Sequence, residues 1–227
     1  MPILRNWDCS GIPKWCQLKK YEKLELLAEK PVMLSESYSK VTVRVLSGKV
    51  RIQDGDMEIE MTPWQSYASD NPNLILTHIA VWFVETSEVV VLYGDWKEDH
   101  KAGMFVVSQP KYQEPHNIGS KLDCIRNTLF DCHYHDFDEY WLLVEGSGIV
   151  YNEGKFFEVH PGDCVITGMG YEHDFPVVYG RVTSVSLHTD MMGQKRMGHT
   201  GHLWNHIDGP AIPDPDRVRF NAIGGKS

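Results

Sequence analysis

The chain has 227 residues, 42% of them hydrophobic, enough for one large domain or two small ones with a sizeable core. Its formal charge is −9 and its longest basic run is Lys19-Lys20, so a nucleic-acid or membrane surface is not expected of it. No apolar run approaches the roughly 20 residues that span a bilayer, and Met1–Asp8 lacks the charged-then-apolar order of a signal peptide, so the expectation is a soluble, cytoplasmic protein.

In chain order, the first element is a short helix over Trp15–Ala28, predicted from apolar residues near helical spacing at Leu18, Tyr21, Leu24 and Leu27. From there the texture is alternating runs broken by Gly, Pro, Asn and Asp, which reads as strands. These are Lys40–Leu46, Lys49–Gln53, Met57–Met61, Leu74–Val84 and Glu88–Tyr93. After a linking region at Gly94–Pro115 come Tyr140–Val144, Ile149–Asn152, Phe156–Val159, Cys164–Thr167 and Arg181–His188. Turn signals separate them at Ser47-Gly48, Asp54-Gly55, Gly146-Ser147-Gly148, Glu153-Gly154 and Pro161-Gly162-Asp163. From Asp208 the chain carries Pro210, Pro213 and Pro215 and reads as an extended surface tail. Many short strands at this spacing predict an all-β sandwich or closed barrel. The cysteines, Cys9, Cys16, Cys124, Cys132 and Cys164, are odd in number and lack C-x-x-C spacing. They read as reduced thiols, with a Cys9–Cys16 bond as the alternative.

The strand pattern repeats. Leu46-Ser47-Gly48-Lys49-Val50-Arg51-Ile52, Asp54-Gly55 and Pro63 match Gly146-Ser147-Gly148-Ile149-Val150-Tyr151, Glu153-Gly154 and Pro161 in the same order. The offset is about a hundred residues, the mark of an internal duplication.

The segment that carries chemistry is Asp131-Cys132-His133-Tyr134-His135-Asp136-Phe137-Asp138-Glu139-Tyr140-Trp141. Strand side chains alternate faces, so His133 and His135 point the same way. Glu139 has the same parity, but four extended residues cover about 13 Å. The chain must therefore bend through Asp136–Asp138 before Glu139 can join the pair. His173 follows the Cys164–Thr167 strand, and a hairpin there returns it to the same place. Three imidazoles and a carboxylate make a borderline donor set suited to one divalent transition metal, Mn, Fe, Co, Ni or Zn.

His133-x-His135-x-x-x-Glu139 followed by Gly146 resembles the first motif of the cupin superfamily. Pro161-Gly162-Asp163, a short strand, a Gly-containing turn and His173 resemble the second. The usual glycine ahead of the first His pair is absent, and Val177 stands where the second motif often has Asn. The resemblance implies a double-stranded β-helix, or jelly-roll barrel, with the metal inside. With the duplication it implies a bicupin: residues 1–100 a degenerate metal-free repeat, 101–227 the metal-binding repeat with its tail. At an offset of about a hundred residues, His133, His135 and Glu139 fall on Met33, Ser35 and Ser39, and His78 is the possible match to His173.

Several further residues have two readings each. Asp131 shares parity with His133 and is a candidate general base or a partner orienting an imidazole, or a strand-entry residue. Trp141 shares parity with Glu139 and either floors a substrate site or packs in the core. His188 lines the pocket or bonds within the wall. In the histidine-rich run 195–206, Arg196 is a candidate for holding an anionic or polyhydroxyl substrate, or the run is a plain surface loop. The expected function is a metal-dependent isomerase or epimerase of sugars or sugar acids, with Glu139 or Asp131 moving the proton. An Fe(II)-dependent dioxygenase and a non-catalytic carbohydrate- or small-molecule-binding cupin are the alternatives. The expected partners are a small carbohydrate-like substrate and, through exposed barrel edges, a second copy of the chain as a homodimer.

Overall fold

The computed structural model describes residues 3–28, 30–80, 84–97, 100–111, 124–130, 132–135, 137–169 and 171–189, with the backbone of 197–199. Its contacts divide the chain into two units, Cys16–Glu98 and a second made of Met1–Trp15 together with Asp99–Ser227. The strands are numbered along the chain. β1 is Ile3–Leu4, β2 Leu18–Leu27, β3 Val32–Met33, β4 Lys40–Ser47, β5 Val50–Asp54 and β6 Met57–Met61. β7 is Ser66–Ser69, β8 Ile75–His78, β9 Thr86–Gly94, β10 Lys101–Ser108, β11 His133–His135 and β12 Asp138–Glu145. β13 is Gly148–Asn152, β14 Lys155–Val159, β15 Cys164–Thr167, β16 His173–Val178, β17 Arg181–Thr189 and β18 Met197–His199. The described residues contain no helix, so none is long and apolar enough to cross a membrane.

Each unit is a double-stranded β-helix made of two antiparallel sheets, as the sequence predicted. In the Cys16–Glu98 unit the sheet orders are β2-β9-β4-β7 and β3-β8-β5-β6. In the other they are β1-β15-β12-β17-β10 and β14-β13-β16-β11-β18. One core joins Val41, Val43, Val45, Val50, Ile52, Leu76, Val89 and Val91. The other joins Trp141, Leu143, Val150, Val165, Phe175, Val178 and Val182. β-Branched side chains dominate because they pack well on a pleated, buried surface.

Three expectations are corrected. The helix over Trp15–Ala28 is strand β2, paired along its length with β9. Its core contacts come from Leu24 and Leu26, at period two, while Leu27 stands outside. Spacing alone could not separate the two periods, and the partner strand β9, with its apolar run Val89–Tyr93, decided between them. The linking region contains β10, an edge strand paired with β17. The Met1–Trp15 segment, read as part of the N-terminal half, belongs with the second unit, where Ile3 pairs Val165 and Leu4 pairs Cys164. Arg5 reaches Asp163 there at 2.5 Å. All five cysteines are reduced thiols.

The duplication is visible in the register. Val41 pairs Ser69 as Glu139 pairs Thr167, and Val50 pairs His78 as Gly148 pairs Val178. The turns ahead of β5 and β13 hold Gly48 and Gly146 at φ of 75° and 76°. A Cβ at Gly146 would meet the Arg181 carbonyl at 1.9 Å, so both the backbone angle and the close approach require glycine. This register shifts the sequence alignment. Counted back from Val41, the counterparts of His133, His135 and Glu139 are Ser35, Ser37 and Val41. Ile75, opposite Gln53, stands where Asp174 stands opposite Tyr151, so the residue before it, Leu74, takes the place of His173. His78 corresponds to Val178, at the other end of the strand from His173, so it does not match His173.

Candidate metal centre

β11 and β12 belong to different sheets, so the chain crosses from one to the other between His135 and Asp138. This is the bend that the spacing of His135 and Glu139 demanded. The Phe137 ring stacks flat on His135, with centroids 3.8 Å apart and planes 5° from parallel. Asp138, fully buried, accepts a hydrogen bond from the Met169 amide at 3.0 Å, tying the start of β12 to the turn before β16. β16 then lies beside β11 with His133 directly paired to His173. The ligand atoms of His133, His135, Glu139 and His173 all fall within 4.8 Å of one another.

The hydrogen bonds fix the tautomers of two imidazoles. His135 Nδ1 lies 2.9 Å from the Phe137 carbonyl and His173 Nδ1 lies 3.0 Å from the Tyr171 carbonyl. A carbonyl only accepts, so each Nδ1 carries the proton. In the neutral ring the lone pair is then on Nε2. Both Nε2 atoms face the same oxygen, Glu139 Oε2, at 2.9 and 3.0 Å. Burial pushes the His135 and His173 imidazoles below their ordinary value, favouring the neutral form, although Glu139 pulls the other way. Burial also works to raise the Glu139 carboxyl. The pull of His188 is the largest of the effects that oppose it, and Glu139 is held well below the usual carboxylate range. Electron pairs on two nitrogens and a carboxylate therefore converge on one buried point. A divalent cation among them would convert mutual repulsion into coordination, and the Nδ1–carbonyl bonds are the orienting contacts that metal-bound histidines usually make. The donor set fits a transition metal.

His188, from β17, points its Nε2 at the other carboxylate oxygen, Glu139 Oε1, at 2.7 Å. Its side chain is 24% exposed, against 8% for Glu139. Trp141 is 1% exposed and sits among Phe105, Phe130 and Phe175. It meets His173 edge-on at 5.2 Å. Its indole Nε1 is buried with no hydrogen-bond partner among the described residues. Asp131 and Arg196 lie outside the described residues, as does most of the histidine-rich run. The backbone of Met197–His199 pairs with β11, setting His199 opposite His133.

Sequence reasoning missed Arg126 and Asp174. Their side chains, 4% and 0% exposed, form an ion pair immediately beside His173 in the chain. Arg126 also donates to the Phe130 carbonyl. Asp174 directly follows a proposed ligand, but no short-range pattern ties it to an arginine so far upstream.

No family profile matches the chain. Protein y4oW of Sinorhizobium fredii strain NGR234, described as uncharacterized, is 34% identical over 219 residues, 96% of this chain and 97% of that one. Among solved structures, tomato (Solanum lycopersicum) vicilin superposes with a TM-score of 0.54 at 10% identity, covering 86% of this chain and 80% of its own. A Bacillus subtilis oxalate decarboxylase variant gives 0.52 at 7% identity over 79% and 70%. AerE of Microcystis aeruginosa gives 0.52 at 9% identity over 74% and 86%. Likeness at such low identity bears on the fold alone.

Proposed function

We propose that this chain, which belongs to one family with S. fredii y4oW and has the cupin fold, is a metal-dependent enzyme acting on a small polar substrate, a sugar or sugar-acid isomerase or epimerase. The observation that carries this reading is the convergence of the His135 and His173 Nε2 atoms on Glu139 Oε2 with His133 alongside. A bound Mn, Fe, Co, Ni or Zn ion would be held by those four side chains and would supply Lewis acidity toward adjacent substrate oxygens. The chain's own residues do the rest. His188, like His133, is only partly buried, and in this reading it carries a proton between substrate and solvent. Glu139 orients His188 through Oε1. Phe130, whose ring centroid is 5.6 Å from that of His133, and Phe137 on His135 limit water around the imidazoles. The chain's charge of −9 favours a neutral substrate over a phosphorylated one.

A second reading is an Fe(II)-dependent dioxygenase. It draws on the aromatic surround of Phe105, Phe130, Phe137 and Trp141, which suits a substrate less polar than a sugar. One pair of experiments separates the two. The protein is loaded anaerobically with Mn, Co or Zn and incubated in D2O with neutral aldoses, ketoses and sugar acids. Isomerase or epimerase action exchanges the hydrogen next to the carbonyl for deuterium, read by proton NMR. No exchange with any of them, alongside substrate-dependent oxygen uptake by the iron-loaded protein, overturns the isomerase in favour of the dioxygenase.

A further inference from the structure

Both barrels carry a lysine at the same place. In the Cys16–Glu98 unit, Tyr93 lies between Val41 on β4 and Lys20 on β2. In the other unit, His188 lies between Glu139 on β12 and Lys101 on β10. Val41 is the counterpart of Glu139, so Tyr93 stands where His188 stands and Lys20 where Lys101 stands. Two residues further along, Glu22 opposite Val91 stands where Gly103 stands opposite Ser186. Lys20 and Glu22 share the face of Leu24 and Leu26, and Lys101 and Gly103 share the face of Phe105 and Val107, which is the inner face of each barrel.

In the metal-free barrel this place holds a carboxylate. Glu22 Oε1 accepts from the Tyr93 hydroxyl at 2.8 Å and from Lys20 Nζ at 3.2 Å. Lys20 also donates to Glu36 at 2.7 Å, and its ammonium lies 5.1 Å from the centre of the Tyr93 ring. A lysine at this position therefore reaches over the residue that His188 replaces, and a carboxylate joins the two.

The second barrel keeps the lysine and removes the carboxylate. Gly103 is not among the glycines with positive φ, so its backbone conformation does not require glycine. Glycine inside a strand weakens it and often marks a place that a ligand approaches closely. Among the described residues, a Cβ at Gly103 would meet only Ser186 Oγ within 4 Å, at 3.0 Å. Ser186 sets that hydroxyl where Val91 sets an apolar core side chain. Lys101 is exposed and the His188 side chain is 24% exposed, so solvent reaches both.

Resting on the reading of this barrel as a metal-dependent enzyme, we infer that its substrate is an acid whose carboxylate takes the place of the Glu22 carboxylate, over Gly103 and beside His188, bound by Lys101 and Ser186. The substrate class is then the sugar acid and not the neutral sugar. One ammonium matches one carboxylate, whereas the second charge of a phosphate would face the chain's charge of −9 unpaired.

The probes are D-gluconate and D-glucitol, the same carbon chain with and without the carboxylate. Each is titrated by calorimetry into the full-length protein, loaded with zinc and, separately, stripped by chelator. Zinc-loaded wild type is expected to bind gluconate about tenfold tighter than glucitol, the usual worth of a hydrogen bond to a charged group. Lys101→Met should remove that preference and Lys101→Arg should keep it. Gly103→Glu copies the metal-free barrel, so its carboxylate should pair with Lys101 and exclude gluconate while the zinc content stays that of wild type. Gluconate that fails to bind, binds no tighter than glucitol, or keeps its preference in Lys101→Met overturns the inference, even where zinc binds and neutral sugars exchange their hydrogen. A preference that depends on Lys101 in a protein that takes up no zinc would support the carboxylate site and overturn the metal-dependent reading instead.

Discussion

His188 Nε2 lies 2.7 Å from Glu139 Oε1, the carboxylate oxygen that His135 and His173 leave to it. His188 therefore touches the metal centre through Glu139 and is not one of the four clustered ligands. His188→Ala should keep metal stoichiometry and weaken metal affinity or turnover by about 10–100-fold, the usual cost of losing a residue that orients a ligand. His135→Ala and His173→Ala should lose the metal outright. Metal analysis by mass spectrometry and a competing chelator read both; loss of stoichiometry in His188→Ala would make it a ligand.

Glu139→Gln gives an opposite prediction for the two states of the protein. In the metal-free chain the Gln amide can donate to the lone pair of His135 or His173 Nε2, where the carboxylate cannot. Metal-free Glu139→Gln should thus melt at or above metal-free wild type. Added metal should raise the wild-type midpoint, by about 2.7 kcal/mol of stability at a hundredfold excess over Kd, and should do little for the variant. Differential scanning calorimetry with and without chelator decides. A wild type indifferent to both metal and chelator would remove the metal from the account.

The sequence exposed the centre because its residues obey local rules. His133 and His135 share parity, Glu139 has to be reached by a bend, and Pro161-Gly162-Asp163 announces the hairpin that returns His173. The strands with clean alternation between turn signals were legible for the same reason; Met57–Met61 and Cys164–Thr167 match residue for residue. What stayed hidden depends on distant partners. Leu18, Tyr21 and Leu24 fit a helix until β9 lies beside them. Arg126 and Asp174 are 48 residues apart and meet only in the fold. The offset of the two repeats was placed two residues too long because Gly48 has two glycines to match, Gly146 and Gly148, and only the pairing of Val50 with His78 and of Gly148 with Val178 chooses between them.

The Arg126–Asp174 pair sets the stability of the second barrel where it carries His173. Both side chains are buried, so removing one partner leaves a charge uncompensated. Arg126→Met is expected to cost about 3–5 kcal/mol, whereas Arg126→Met with Asp174→Leu should recover most of it, since a buried pair and a packed apolar replacement differ little. Urea denaturation of the metal-free proteins measures the difference. A double variant as unstable as the single would mean that Asp174 holds the strand by contacts other than the ion pair.

Glu153 makes the same barrel sensitive to pH. Burial pushes its carboxyl up to about 7, against the Gly168 amide and Lys155, which pull it down. A carboxyl whose pKa is higher folded than unfolded binds its proton more tightly in the native state. Its contribution is fully present below the unfolded value near 4.5 and is lost as pH rises through about 7. Wild type should therefore lose stability between pH 5 and pH 8 relative to Glu153→Gln, whose amide cannot ionise. The two should differ least near pH 4. Melting curves of both proteins across that range test it, and parallel curves would mean that Glu153 is solvated in the folded chain and titrates as it does unfolded.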